Sequence, residues 1–284
     1  MKRVVTVLVC VAVAIAFTAA ATAAPGNSGN AEKSQAGGKP VSIPDHAEEV
    51  APGVYYLGTA EDHGRTVEGY MYVRYDEGYS HKDKHNPGGG NGGGGGGGGG
   101  CYAFIGDRHV EWQVEEPWKV NPNNDEGLGD EFILTNLTGS IGKWEAAAGE
   151  GMLGTGSLTT STLSAETSGS PDGLNEVYFG SIDSEGAIAV TIVWGVFRGP
   201  PSSREIVEWD QVYDQVDYDW SDTGTVGKMD FENINTHELG HAVGMDHPDD
   251  SCTEETMYAY AEPGETKKQS LESGDKAGVN ELYS

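Results

Sequence analysis

Residues 237–247 read His-Glu-Leu-Gly-His-Ala-Val-Gly-Met-Asp-His, and this stretch is the most informative part of the sequence. Two histidines four positions apart lie one turn apart on the same face of a helix, so both imidazoles can reach one metal ion. Gly244 can end that helix because glycine accepts a positive φ, and the returning chain then offers a third histidine. Three imidazoles and a water make the open tetrahedral arrangement of a catalytic zinc site. The predicted zinc ligands are His237, His241 and His247.

Glu238 follows the first histidine directly, and from there it can address a metal-bound water. The pattern predicts that this carboxylate acts as general base, because it can take a proton from the attacking water and pass it to the leaving amine. The alternative is a helix with two solvated histidines and a third in a turn. The set spacing of His, Glu, His, Gly and His disfavours that alternative.

This stretch resembles the signature of the metzincin zinc proteases, and within them it looks most like the matrixins in an archaeal or bacterial-style secreted form. Met257, within Thr256-Met257-Tyr258, lies ten residues after His247 and resembles the Met-turn methionine, which forms an apolar floor beneath the metal. Residues 271–283 resemble the closing helix of matrixin catalytic domains. The resemblance covers residues 101–284 and is sharp from His237 to Met257.

The chain departs from the matrixin pattern at several points. Pro248 follows the third histidine where matrixins usually carry serine, and Ala259 stands where they usually carry proline. The cysteine-switch motif is absent from the N-terminal segment. The acidic loops could bind Ca²⁺, but no ligands for calcium or for a second zinc can be named.

The order of predicted elements indicates an α+β fold: a zincin-like metzincin catalytic domain with a twisted mixed β-sheet, a backing helix, an active-site helix and a C-terminal helix. In the backing helix, apolar residues recur every three or four positions from Ile133 to Ala148, after Asp130 as N-cap. The active-site helix should run from about Asp230 to Gly244. The predicted strands include 112–120, with Pro117 suggesting an edge, and 176–182, 187–197 and 205–213.

Four segments divide the chain. Residues 1–23 have a basic start, an apolar run and small residues, and they predict a cleaved signal peptide rather than a membrane anchor. Residues 24–87 are predicted to be a propeptide or accessory segment, since so few aliphatic residues cannot build much core. Residues 88–100 are glycine except for Asn91 and read as a linker. Residues 101–284 form the predicted catalytic domain.

The charge balance limits the partners. Asp and Glu number 45 against 17 Lys and Arg, a formal net charge of −28. Nucleic-acid binding needs a basic footprint, and anionic membranes repel such a surface, so both are excluded as partners. The predicted location is extracellular, and the acidity also fits a high-salt host, where charge repulsion is screened. No feature of the sequence indicates an oligomeric state.

Two cysteines remain once Cys10 leaves with the signal peptide. In an oxidising compartment, a disulfide between Cys101 and Cys252 is the favoured interpretation. The alternative is that Cys101 blocks the zinc as a thiolate in a latent form.

The predicted function is a secreted zinc metalloendopeptidase acting on proteins or peptides. One alternative is a zinc hydrolase of narrow specificity, and another is an extracellular binding module with a vestigial metal site. Matrixins also suggest, by analogy, that the substrate lies extended along a sheet edge, for which residues 187–194 are the candidate strand.

Overall fold

The computed structural model describes residues 37–79, 100–106 and 110–284, all within one compact unit. The predicted signal peptide and nearly all of the glycine-rich stretch lie outside these ranges. The strands in the described ranges are β1 (Val41–Ser42), β2 (Glu48–Ala51), β3 (Val54–Asp62), β4 (Arg65–Asp76), β5 (Ala103–Phe104), β6 (Glu116–Asn121), β7 (Leu153–Leu158), β8 (Asn175–Gly180), β9 (Ile182–Asp183), β10 (Ala187–Val196), β11 (Glu205–Asp214), β12 (Trp220–Ser221), β13 (Met229–Asp230), β14 (Met245–Asp246) and β15 (Tyr260–Ala261). The helices are α1 (Asp130–Ala148), α2 (Phe231–Ala242) and α3 (Ser273–Leu282).

The main sheet has the order β2-β3-β4-β10-β11-β8-β6-β7, and β15 pairs with β4 beside this path. From β11 to β7, each strand of the sheet is parallel to its neighbour. In the other half of the sheet, each strand is antiparallel to the next, in the order β2, β3, β4, β10 and β11. Helix α1 connects the parallel strands β6 and β7, as parallel pairing requires a crossover. The predicted α+β class, with a mixed sheet and three helices, is confirmed.

Helix α1 buries the predicted apolar face, with Ile133, Leu137, Ile141 and Trp144 almost fully inaccessible to solvent. Its start differs from the prediction by one residue. Gly129 is the N-cap and makes no side-chain cap, while Asp130 is the first helical residue. There its carboxylate lies near the positive end of the helix dipole, which is a favourable position for an acid without being a cap.

Strand β6 differs from its predicted position at an edge. It begins at Glu116 rather than at residue 112, and it pairs with β7 on one side and β8 on the other. Pro117 is tolerated there because the register with β7 shifts between Glu116 and Trp118, and a proline without an N–H fits such an irregularity.

The segment before the glycine-rich stretch contributes to the same sheet. Strand β4 pairs along most of its length with β10, and β3 pairs with β4. The expectation that this part of the chain builds little core is wrong, because tyrosines and a methionine add their buried surface to that of the few aliphatic residues. The buried side chains include Val54, Leu57, Val67, Tyr70, Met71, Tyr72, Val73 and Tyr75. Whether residues 24–87 are removed as a propeptide stays a prediction.

The candidate edge strand is also placed differently. Residues 187–194 fall in β10, which has β4 on one side and β11 on the other, so β10 offers no free edge in this structure. The edge that the sequence led us to expect is covered here by β4, because the N-terminal strands, which that expectation left out, belong to the same sheet. No helix in the described part of the chain is long and apolar enough to cross a membrane.

Candidate metal centre

Three histidines converge below strand β4. Helix α2 carries His237 and His241, and Asp230 caps its first turn by accepting a hydrogen bond from the Asn233 N–H at 2.8 Å. The helix ends before Gly244, which has φ +97°, and the chain turns through β14 to His247. Nε2 of His247 lies 3.2 Å from Nε2 of His241 and 3.3 Å from Nε2 of His237. Among the His, Cys, Asp and Glu side chains of the described residues, these three histidines are the ones that lie close enough together to hold a metal ion.

The rings are oriented by backbone carbonyl groups. Nδ1 of His237 lies 2.7 Å from the Thr256 carbonyl oxygen, and Nδ1 of His241 lies 2.9 Å from the Met245 carbonyl oxygen. A proton on each Nδ1 leaves the Nε2 lone pairs facing the common centre. Burial lowers the pKa of all three imidazoles, that of His247 to about 3, so they are neutral. Three neutral, converging imidazole nitrogens fit a zinc ion.

Glu238 is fully buried next to the first histidine. Thr191 of β10 donates a hydrogen bond from Oγ1 to Glu238 Oε2 at 2.6 Å, whereas Oε1 has no partner among the described residues. Burial raises the pKa of this carboxyl to about 7, although Arg74 and the Thr191 hydrogen bond act in the opposite direction. The carboxylate therefore has one oxygen fixed and one oxygen available for a proton.

Met257 packs against helix α2 at Gly240, and its role as the Met-turn methionine stays a prediction. A Cβ added to Gly240 would lie 2.2 Å from Met257 Sδ, so only glycine allows this close approach. Asp275 of α3 holds the turn by accepting hydrogen bonds from the backbone N–H groups of Thr256 at 2.8 Å and Met257 at 3.1 Å. The role of Asp275 was not predicted, although α3 itself was.

Two further side chains reach the centre from β4, and neither was predicted. The Tyr72 ring stacks on His241 with centroids 4.0 Å apart and meets His247 edge-on at 5.8 Å. Arg74 is buried and donates from Nη1 to the Tyr258 carbonyl and from Nη2 to the Tyr260 carbonyl. The alternation of polar and apolar residues along residues 69–75 is weak, so sequence reasoning had little signal for either role.

Cys101 and Cys252 form a disulfide in the structure. It joins the start of the predicted catalytic domain to the loop after His247. A sulfur in a disulfide has no thiolate to offer a metal, so this arrangement does not accommodate the alternative in which Cys101 blocks the zinc.

A cavity of about 520 Å³ lies beside the third histidine. Tyr56, Tyr70 and Tyr72 line it from β3 and β4, and His247 and Tyr260 line it from the other side. Strands β3 and β4 thus form one wall of the cavity next to the metal centre.

Comparison with known proteins agrees with this geometry. The sequence profile of a peptidase family described as Matrixin matches residues 106–284, a range that contains the three histidines, Glu238 and Met257. A search among curated proteins found no match. The family profile covers more than half of the 284 residues. The chain therefore belongs to the matrixin family of peptidases.

Proposed function

We propose that this matrixin is a secreted zinc-dependent endopeptidase that hydrolyses peptide bonds in proteins, with His237, His241 and His247 as zinc ligands and Glu238 as general base. Membership of the family and the three converging histidines support a zinc metallopeptidase. The observation that carries the finer proposal is the buried carboxylate of Glu238, which follows a ligand directly on α2 and has one oxygen unpaired.

The ligand set explains what the chain contributes to the reaction. When bound, zinc would polarise the scissile carbonyl and acidify the attacking water. Glu238 would accept the proton of that water on Oε1 and pass it to the leaving amine, while the Thr191 hydrogen bond holds Oε2 in place. The carbonyl groups of Thr256 and Met245 keep two imidazole rings in a single orientation throughout.

Secretion rests on the sequence of residues 1–23, which has the pattern of a cleaved signal peptide. The acidic composition is compatible with an extracellular enzyme that stays soluble at high salt. We expect protein or peptide substrates, and no nucleic acid or membrane partner. Calcium stays a prediction without named ligands.

The test is hydrolysis of unfolded casein by the zinc-loaded chain. A recognition site for a sequence-specific protease is placed within residues 92–99, so that activity is measured before and after the chain is cut there. Glu238→Gln keeps the size of the side chain and removes the base, and it should lower kcat by at least about 10²-fold while zinc still binds. A chelator should abolish the wild-type activity.

A folded, zinc-binding protein that hydrolyses no casein in either form would contradict the proposal. Equal activity of the wild type and Glu238→Gln would contradict the assignment of the base.

A further inference from the structure

Strand β4 lies directly over the metal centre and is paired on both sides. It runs antiparallel to β10, with Tyr72 opposite Thr191, the residue that holds Glu238. On its other side, β4 pairs antiparallel with β3 as far as Tyr72 and in parallel with β15, where Tyr75 lies opposite Tyr260. The last part of β4 therefore lies between β10 and the loop after Met257 and makes main-chain pairs with both.

With β4 in place, solvent reaches the metal centre at His247, which is partly exposed and lines the cavity, whereas the side chains on α2 are closed off. His237 and Glu238 are fully buried, and His241 is 1 % exposed. The Tyr72 ring covers His241 at stacking distance. A peptidase must admit an extended chain to its metal and base, and extended chains bind by adding a strand to a sheet. Strand β4 already occupies the position that such a strand would take over these residues.

The side chain two residues after Tyr72 points to the same side of the strand, since alternate residues share a face. This side chain is Arg74, which is 1 % exposed and reaches the carbonyl oxygens of Tyr258 at 3.3 Å and Tyr260 at 3.2 Å. Its Nε has no partner among the described residues.

The surroundings of Arg74 are suited to a cation. Burial lowers the pKa of the Arg74 guanidinium to about 10, and the carboxylates of Glu238 and Glu265 oppose this shift, so the buried group keeps its charge at neutral pH. A second cation lies in the same surroundings. It is the buried ammonium of Lys268, which is paired with Glu265. A buried guanidinium is costly unless acceptors surround it, so these carbonyl and carboxylate oxygens define a pocket that selects a basic side chain.

We propose that β4 occupies the substrate cleft as an inhibitory strand and that the pocket around Arg74 is a specificity pocket, which receives an arginine or lysine side chain of the substrate once β4 has left. This inference rests on the proposed function for the chemistry, because it assigns the substrate class of the same centre. It commits to an extended polypeptide with a basic side chain at one fixed position.

The first experiment measures how firmly Arg74 holds the strand in the full-length, zinc-loaded chain. Arg74→Ala leaves two carbonyl groups without their charged donor, and it should raise the amide hydrogen-exchange rates of residues 65–76 by about 10- to 100-fold. Casein hydrolysis should rise with it. Arg65→Ala is the matched control, since Arg65 lies on the same strand with a half-exposed side chain that contacts Asp62 and Glu205 outside the centre.

Unchanged exchange of residues 65–76 in a folded Arg74→Ala protein would overturn the inhibitory role. If that variant does not fold, Arg74→Lys replaces it, because lysine keeps the charge but loses the two-pronged contact. For Arg74→Lys we expect an intermediate exchange rate of residues 65–76. It should exceed the rate in the wild type and in Arg65→Ala, and it should stay below the rate of an unpaired strand. A rate equal to that of the wild type would count against the proposal.

The second experiment does not depend on catalysis. After the chain has been cut within residues 92–99, a fluorescent peptide with the sequence of residues 65–76 is titrated into the protein. The peptide with arginine at position 74 should bind. Replacing this arginine by lysine, leucine or glutamate should weaken binding progressively, in that order. For glutamate, the dissociation constant should rise at least about tenfold.

Equal binding of all four peptides would overturn the basic pocket, and no binding of any of them would overturn the cleft assignment. Ordered peptide binding without casein hydrolysis would contradict the proposed endopeptidase function while supporting the pocket. The two proposals can therefore fail separately.

Discussion

The residues closest to the metal centre are held by contacts that leave little room for substitution. Gly240 faces Met257 and Trp144 across the interface between α2 and its neighbours, and an added Cβ would lie 2.2 Å from Met257 Sδ and 2.7 Å from the Trp144 ring. Two different neighbours thus press on one position of helix α2. Position 240 requires a glycine for this packing reason, independently of any need for backbone freedom.

Gly240→Ala is therefore expected to destabilise the protein by ~1–3 kcal/mol through overpacking and to weaken zinc binding, because α2 must shift to relieve the contact. The melting temperature and the zinc dissociation constant measure these two effects. The matched control is Gly142→Ala in α1, where an added Cβ meets no atom within 4 Å. Alanine there should stabilise the helix by up to ~1 kcal/mol. A Gly240→Ala protein as stable as the wild type would show that the contact is easily relieved.

Thr191 offers a second prediction at the scale of a residue. Its hydroxyl lowers the pKa of Glu238 by donating to the carboxylate, so Thr191→Val should raise that pKa further. A base works only when deprotonated, and the acidic limb of the pH profile of kcat/KM should therefore move to higher pH by ~1 unit.

Thr191→Ser keeps a hydroxyl at this position and should restore the wild-type profile. If Thr191→Val lowered kcat/KM equally at every pH, the hydroxyl would position the carboxylate without tuning its proton affinity.

Among the elements, helix α3 organises the loop that contains Thr256 and Met257. Asp275 accepts three backbone N–H groups, from Thr256, Met257 and Glu272, and Glu255 in turn accepts the N–H groups of Gly274 and Asp275. The start of α3 and residues 255–257 thus hold each other through reciprocal hydrogen bonds. The C-terminal helix is part of the centre's support although it contributes no ligand.

Asp275→Ala leaves three backbone donors without their acceptor, two of them in the buried turn. We expect a loss of ~3 kcal/mol in the free energy of unfolding and a lower zinc affinity. Lys276→Ala changes the next residue of the same helix, which is exposed, and should alter neither quantity. Denaturant unfolding and zinc titration of both variants make the comparison. Equal effects of the two changes would mean that the helix as a whole, and not Asp275, supports the turn.

The elements also show which parts of the fold could be predicted. The face of α1 and the ligand spacing in α2 are local patterns, since periodicity within one helix reports directly on burial. The pairing of β4 with β10 could not be found this way, because it joins parts of the chain more than a hundred residues apart. For the same reason the contacts of Thr191 with Glu238 and of Arg74 with the Tyr258 carbonyl were missed, at separations of 47 and 184 residues.

For the molecule as a whole, the large negative net charge is the feature that most affects the stability of the folded state. A formal net charge of −28 over 284 residues leaves most carboxylates without a basic partner, because acids outnumber bases by 45 to 17. Self-repulsion of this size destabilises the compact state at low ionic strength. At 1 M salt the screening length falls to about 3 Å, which removes repulsion between exposed charges but leaves short contacts largely intact.

The melting temperature is therefore expected to rise with NaCl from about 0.01 M to 1 M, where the screening length shortens roughly tenfold. The matched variant carries Glu150→Lys, Asp183→Lys and Asp222→Lys, three exposed positions, and it shifts the formal net charge from −28 to −22. It should melt above the wild type at low salt, and its melting temperature should rise less with NaCl. If the two proteins responded to NaCl identically, repulsion would not be the cause, and a general effect of salt on hydrophobic burial would explain the stabilisation instead.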